Sequence, residues 1–169
     1  SSGPEVQGWT ADVADDAAAS AFVEGAVGWL GGLDGLALVA GAFAGGARFE
    51  ASPADEWDEM MRANLGTVRS VCRAALPHLR PGSAVVTVGS RSAETAGAGM
   101  SAYAVSKVAV SALTRVLALE NRDRGVRFNC VLPGTIDPEE AGTCVATGGV
   151  TVEVMLHMVE EFLLLGKCW

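Results

Sequence analysis

Three short apolar runs govern what this chain can fold into: LDGLALVAG (33–41), AVVTVG (84–89) and VRFNCVL (126–132). The first two end in glycine, and Pro133-Gly134 follows the third. A short apolar run without polar alternation is the pattern of a strand buried on both faces. Helical patterns separate the runs. ADDAAASAFVEGAVGWL (14–30) has apolar residues at helical spacing, and Asp15 and Asp16 suit a helix start. Ser52-Pro53-Ala54-Asp55 reads as a serine cap, a proline at the first position and an acid in a capping-box-like pattern. The helix it opens is expected to run to about Leu79, after which HLRPGS turns the chain. A further helix through AYAVSKVAVSALTRVLALE is expected to end near Asp123, and VQGWTA (6–11) is a short strand candidate. Strands alternating with helices predict a parallel α/β sheet. No internal repeat, linker or low-complexity tract interrupts the pattern.

At 169 residues, half of them hydrophobic, the chain suits one domain with a sizeable core. A net charge of −8 with scattered arginines argues against nucleic acid and against an anionic membrane surface. Cys72, Cys130, Cys144 and Cys168 show no close pairs and no metal-ligand spacing, so reduced thiols in a cytoplasmic protein and no metal site are expected. SSGPEVQG is polar and unlike a signal peptide. The apolar stretch 29–46 is broken by Asp34 and six glycines, so no transmembrane span is expected.

In open parallel sheets, ligands bind outside the carboxyl ends of the strands. On this pattern those ends carry Asp12, Gly41, Ser90 and the Pro133-Gly134 turn. The helix after Ser90 holds Tyr103, the chain's one tyrosine, with Lys107 four positions on. That coincidence arises roughly once in a hundred chains of this lysine content. Residues i and i+4 share a helix face. A cation beside a phenol favours the phenolate, which makes the hydroxyl a usable acid/base near neutral pH. A buried tyrosine beside a lysine that snorkels to solvent gives the same pattern.

Residues from about 6 to 137 resemble a short-chain dehydrogenase/reductase. The resemblance rests on features in order: Asp12-Val13 after the first strand, Ala40-Gly41 like the end of the family's Asn-Asn-Ala-Gly motif, and Asn64 within WDEMMRANLGTV. Then come Ser90, 13 residues before Tyr103; the Tyr-x-x-x-Lys pair Tyr103 and Lys107; and VRFNCVLPGTI, like the segment that closes over the nicotinamide. The resemblance implies that Ser90 polarises a substrate carbonyl, Tyr103 gives or takes the hydroxyl proton, and Lys107 holds the nicotinamide ribose. It implies that Asn64 holds a water in a proton relay, though an amide satisfying backbone in a helix kink is an equal reading. Asp12 and Val13 would border the adenine, and Ala40 and Gly41 would also contact the cofactor. Pro133, Gly134 and Ile136 would border the nicotinamide.

The sequence also departs from the family. No Gly-x-x-x-Gly-x-Gly turn precedes Asp12 to seat a pyrophosphate on a helix N-terminus. Gly41-Ala-Phe-Ala-Gly45-Gly46 is rejected as a substitute, because Arg48 to Pro53 interrupt any helix there; a glycine loop near the cleft is expected instead. Leu38 and Val39 replace the paired asparagines, and Pro138 stands where the family often has threonine. Beyond Glu140 the tail looks unlike the family; within it TVEVMLHMVEEFLLL reads as an amphipathic helix packing on the sheet or on a partner. His157, Glu160-Glu161, Asp15-Asp16 and His78 earn no catalytic role.

The expected fold is therefore a Rossmann-like three-layer parallel sheet, incomplete, without the family's first two strands. Residues 1–169 form one incomplete domain with a divergent tail at 141–169. The strand at 6–11 then loses its neighbour and the strand at 35–40 becomes an apolar edge. Either the early strand pairs elsewhere, or another chain covers the edge, or the chain is a truncated piece of a longer protein. Truncation is favoured, because both ends depart from the family while the middle follows it. The implied activity is NAD- or NADP-dependent interconversion of an alcohol and a carbonyl on a small molecule. The rival is an inactive remnant acting as an interaction module or without function. Family members pair through the helices corresponding to 53–79 and 102–123, which suggests a homo-oligomer with Val108, Val110, Ala112, Leu113 and Leu117 on the free face. Nothing in the sequence identifies the substrate or chooses between NAD and NADP.

Overall fold

The computed structural model describes residues 6–134. Ile136, Pro138, Cys144, His157, Glu160, Glu161, Cys168 and the expected tail helix lie outside the described residues.

Three parallel strands, β1 (Leu33–Leu38), β2 (Leu79–Val88) and β3 (Arg127–Val131), stand side by side in that order. Helix α1 (Asp16–Leu30) leads into β1. A 3-10 turn (Phe49–Ala51), α2 (Ala54–Met60), a π-helical stretch (Met61–Gly66) and α3 (Thr67–Ala75) connect β1 to β2. A short α4 (Ser92–Thr95) and the long α5 (Ser101–Glu120) connect β2 to β3. Asp15 caps α1 by accepting the Ala18 N–H at 2.8 Å, and Gly31 ends it in the left-handed region at φ 72°.

One face of the sheet carries Leu38, Val85 and Phe128. Against it pack Ala19 and Val23 of α1, Val68, Val71, Cys72 and Ala75 of α3, and Val110 and Leu117 of α5. Each such apolar side chain stabilises the fold by about 1.5–3 kcal/mol relative to exposure. Thr87 on the same face satisfies its hydroxyl against Thr114 of α5 at 2.8 Å. The described residues thus make two layers; the second helical layer of a three-layer sheet is not among them.

Several sequence expectations change. Residues 6–11 form no strand: they are exposed, and Trp9 instead sits edge-on to Phe22 and Trp29 of α1, with ring centroids 6.2 and 6.1 Å away. A strand needs a ladder partner, and among the described residues none lies there. As expected for 35–40, β1 is an edge strand among the described residues; Ala37 is exposed and Leu36 half-buried, so the run is not buried on both faces. Ser52 does not cap α2; its hydroxyl donates to the Phe49 carbonyl at 3.0 Å, and α2 starts after Pro53 with no side-chain cap. The helix expected over 53–79 is divided by the π stretch and yields to a 3-10 turn at Leu76–His78. The expected HLRPGS turn is absorbed into β2 as a bulge: Leu79 pairs with Leu33, but Ala84 pairs with Gly35, and Gly82 has φ 86°. Helix α5 stops at Glu120, short of Asp123. It is long and apolar enough to cross a membrane by length and composition alone, with a mean hydropathy of 1.4. One stripe of it, Ala102, Ser106, Val110, Thr114 and Leu117, is buried against the core, while Val105, Val108, Val116 and Leu119 are exposed.

Candidate active site

Helix α5 begins at Ser101, just past the carboxyl end of β2, and projects Tyr103 and Lys107 on one face. Lys107 is 6% exposed. Its Nζ donates to the Val88 carbonyl at 3.0 Å and lies 5.9 Å from the centroid of the Tyr103 ring. Burial holds the Lys107 ammonium below the usual lysine range, only partly opposed by the neighbouring Cys130. On the other side of the phenol, Phe43 meets the Tyr103 ring edge-to-face, with centroids 4.9 Å apart and planes at 74°.

Asn64 sits in the π stretch and is 1% exposed. Its Oδ1 accepts the Ala42 N–H at 3.0 Å, and its Nδ2 donates to the Ala42 carbonyl at 3.1 Å and to the Ser106 hydroxyl at 2.9 Å. Asn64 thus lies in a helix kink, but the backbone its amide satisfies is that of Ala42 in the loop after β1. Gly41 has no room for a side chain: a Cβ there would lie 2.5 Å from Asn64 Oδ1 and 3.2 Å from Lys107 Nζ. Gly41, Asn64 and Lys107 thus meet directly, and α5 brings Tyr103 and Ser106 to the same place.

Ser90 closes β2, and its hydroxyl bonds to the Ser92 hydroxyl at 2.7 Å; no hydrogen bond joins it to Tyr103. The segment after β3 runs beside it. The Arg91 N–H donates to the Pro133 carbonyl at 3.0 Å, and Gly134 lies against the Arg91 side chain. Asp12 precedes α1, accepts the Ala14 N–H at 3.2 Å and forms an ion pair with Arg62. Val13 and Ala40 share an apolar groove of about 220 Å³ with Phe22, Leu36 and Val71 along the open edge of β1. The expected cofactor residues among those described thus fall into three groups: Gly41 with Lys107 and Tyr103, Val13 with Ala40 beside Asp12, and Pro133 with Gly134 beside Arg91.

The rejection of residues 41–46 as a phosphate turn agrees with the structure. No helix opens there; Gly46 N–H bonds to the Gly99 carbonyl at 2.7 Å, docking the loop on the entry to α5. Two neighbours of the site escaped the sequence reading. Ser106 carried a weak signal, a serine inside an apolar helix with no cap to make. Phe43 carried one as the aromatic of a glycine loop.

A model of the family described as enoyl-(acyl carrier protein) reductase matches residues 1–155. Part of the tail beyond Glu140 therefore falls within the match, further than the motifs alone reach. The 2,3-dihydro-2,3-dihydroxybenzoate dehydrogenase of Escherichia coli (strain K12) is 32% identical over 161 residues, covering 92% of this chain and 64% of that protein. An inactive 2-(S)-hydroxypropyl-CoM dehydrogenase 2 of Xanthobacter autotrophicus is 35% identical over 142 residues, covering 83% of this chain and 61% of that protein. Among solved structures, a short chain dehydrogenase from Burkholderia cenocepacia J2315 in complex with NADP superposes with a TM-score of 0.77 at 29% identity, covering 91% of this chain and 67% of that one. The chain spans from about half (48%) to 64% of the length of the curated relatives it matches. The parallel sheet, the ordered motif residues gathered at its carboxyl edge and matches across most of the sequence agree, and the chain belongs to the short-chain dehydrogenase/reductase family.

Proposed function

We propose that this site interconverts an alcohol and a carbonyl on a small molecule, with NAD or NADP as the hydride carrier. The observation that carries the reading is the buried Lys107 amine, held between the Val88 carbonyl and the Tyr103 ring. An ammonium has three N–H donors, and one protein acceptor leaves Lys107 able to bond the hydroxyls of a ribose. Gly41 presents backbone with no side chain in the way, and Pro133 and Gly134 border the same end of the sheet. The residues present therefore fit the nicotinamide-ribose end of the cofactor. When bound, the nicotinamide supplies or accepts the hydride.

The chain's own residues do the rest. The Tyr103 hydroxyl gives the proton to the forming alkoxide or takes it from the alcohol. Ser90, turned from Ser92, donates to the substrate oxygen and stabilises charge there. With both Asn64 amide hydrogens engaged, a water held at Asn64 donates to its carbonyl oxygens. Asp12 and Val13, with Ala40, border the adenine, and Asp12 must there trade its ion pair with Arg62.

We further assign self-association to helices 53–79 and 102–123. The free stripe on α5 is Val105, Val108, Val116 and Leu119; Val110 and Leu117, expected there, are 0% and 8% exposed and belong to the core. Free thiols at Cys72 and Cys130 support a cytoplasmic setting.

The inactive-remnant reading has two observations in its favour. Among the described residues no glycine-rich turn leads from a strand into a helix, and a relative at 35% identity is itself named inactive. A cofactor-oxidation assay with NADH and NADPH over a panel of ketones and aldehydes separates the two. The hydride reading expects turnover that falls at least about 100-fold in Tyr103→Phe, the scale of lost general acid catalysis. Folded protein with no turnover at saturating cofactor establishes the remnant.

A further inference from the structure

We infer that Ser106 is a positioning residue for Tyr103, an assignment that rests on the hydride-transfer reading of the site. Ser106 is 0% exposed, in the second turn of α5, where its hydroxyl caps nothing. The direction of each bond around it is fixed by its neighbours. Asn64 faces both backbone groups of Ala42, taking the N–H on Oδ1 and giving Nδ2 to the carbonyl. Rotating the amide by half a turn would set donor against donor and acceptor against acceptor, so the atom that meets Ser106 is Nδ2, a donor. The Ser106 oxygen must therefore accept at 2.9 Å, and its proton goes to the Tyr103 carbonyl at 2.7 Å.

The result is one continuous chain of hydrogen bonds from the Ala42 backbone, through Asn64 in the kinked helix and Ser106 in α5, to the backbone of Tyr103. It joins three segments that share no strand pairing. It also joins two rings. Phe43, one residue past Ala42, rests on the Tyr103 ring 4.9 Å away. Lys107 cannot replace this tie, because its amine is bound to Val88 on the sheet. Ser106 thus fixes where the phenol stands relative to the loop beside it, and catalytic geometry is sensitive to displacements of this kind.

The test needs neither cofactor nor substrate. Measure amide hydrogen exchange at Ala42 by NMR in the wild type, Ser106→Ala and Ser106→Cys, with the Val86 amide of the central strand as the control for global opening. In parallel, incorporate 3-fluorotyrosine, which reports Tyr103 alone because the chain has one tyrosine. The expected result is at least about tenfold faster exchange at Ala42 in both variants, Val86 unchanged, and a shifted or broadened fluorine signal. Cysteine fills the serine's space but is a poor hydrogen-bond partner, so packing alone would leave Ser106→Cys like the wild type. Ala42 exchange that is unchanged, or that rises only with Val86, overturns the assignment. If both variants fail to fold, the wild-type Asn64 side-chain amide decides: protected Nδ2 hydrogens uphold the chain of bonds, and freely exchanging ones overturn it. A negative result here leaves the Tyr103→Phe assay untouched, so the two readings fail separately.

Discussion

Lys107 and Cys72 are both buried, and burial pushes them in opposite directions. The Lys107 ammonium is held below the usual 10.5 by desolvation first, with Cys130 opposing. The native state therefore binds fewer protons than the unfolded chain between the lowered value and 10.5, and stability rises with pH through that window. Below the window the full cost of the buried charge is present. Urea unfolding of Lys107→Met should accordingly show a variant at least as stable as the wild type at pH 7, with any advantage shrinking as pH climbs toward 10.5. A wild-type midpoint that does not rise relative to Lys107→Met over that range rules this out. The Cys72 thiol is pushed up to about 12 by burial, so almost none is thiolate at pH 8. Alkylation of the native protein with iodoacetamide at pH 8, mapped by mass spectrometry, should modify the half-buried Cys130 well before Cys72; equal labelling would refute the burial. The Tyr103–Lys107 pair was legible in the sequence because it lies within one helical turn. The Asn64–Ser106 bond spans 42 positions, and no local pattern encodes it.

At the scale of elements, the kinked helix is the one the site depends on. The π stretch at Met61–Gly66 carries Asn64, and the three bonds at Ala42 and Ser106 hold its amide in place. Gly41 packs against that fixed amide. Asn64 Oδ1 is not free to swing away from a Cβ placed 2.5 Å from it, because doing so would abandon the Ala42 N–H. Gly41→Ala should therefore cost about 1–3 kcal/mol, the range for overpacking, read from the shift of the urea midpoint at constant slope. A loss below about 0.5 kcal/mol would mean that the loop yields freely. The sequence marked roughly where this helix begins, but carried it to Leu79, where β2 already starts. It offered a kink at Asn64 only as one of two readings, since a kink set by contacts to another segment has no firm signature of its own. Helix α5 shows the same division. Its periodicity fixed the helix, while the assignment of Val110 and Leu117 to a free face failed because periodicity names a stripe and not what covers it. The exposed stripe includes Leu119 at 71% and Val108 at 44%. If it mediates association, Leu119→Glu should lower the light-scattering mass over a micromolar concentration series; a wild type that stays monomeric to high micromolar removes the surface from consideration.

For the whole molecule, the sheet is legible and its completeness is not. The apolar runs located all three strands correctly. Residues 6–11 failed as a strand because forming one depends on a neighbour, and a sequence segment does not reveal whether its neighbour stands beside it. The same consideration sets cofactor affinity. The pyrophosphate carries the dinucleotide's charge and is best held by N–H groups at a helix N-terminus. The first turn of α1 holds Asp16 and that of α2 holds Asp55 and Glu56, which repel it, and α5, whose first turn holds no acid, opens at the Tyr103 end of the site. A net charge of −8 adds no attraction. Losing two charge-assisted hydrogen bonds, at about 1.5–3 kcal/mol each, weakens binding by roughly 10²–10⁴-fold. The contacts at Lys107, Tyr103 and Gly41 do not restore this, because they address the other end of the cofactor. Titrating NADH and NADPH against the 169-residue chain, followed by nicotinamide fluorescence, should give dissociation constants no tighter than about 100 μM. Low-micromolar binding of either would show that a phosphate seat exists that neither the glycine pattern nor the described helix termini reveal. It would also leave the turnover assay to decide between the hydride reading and a remnant that still binds the cofactor.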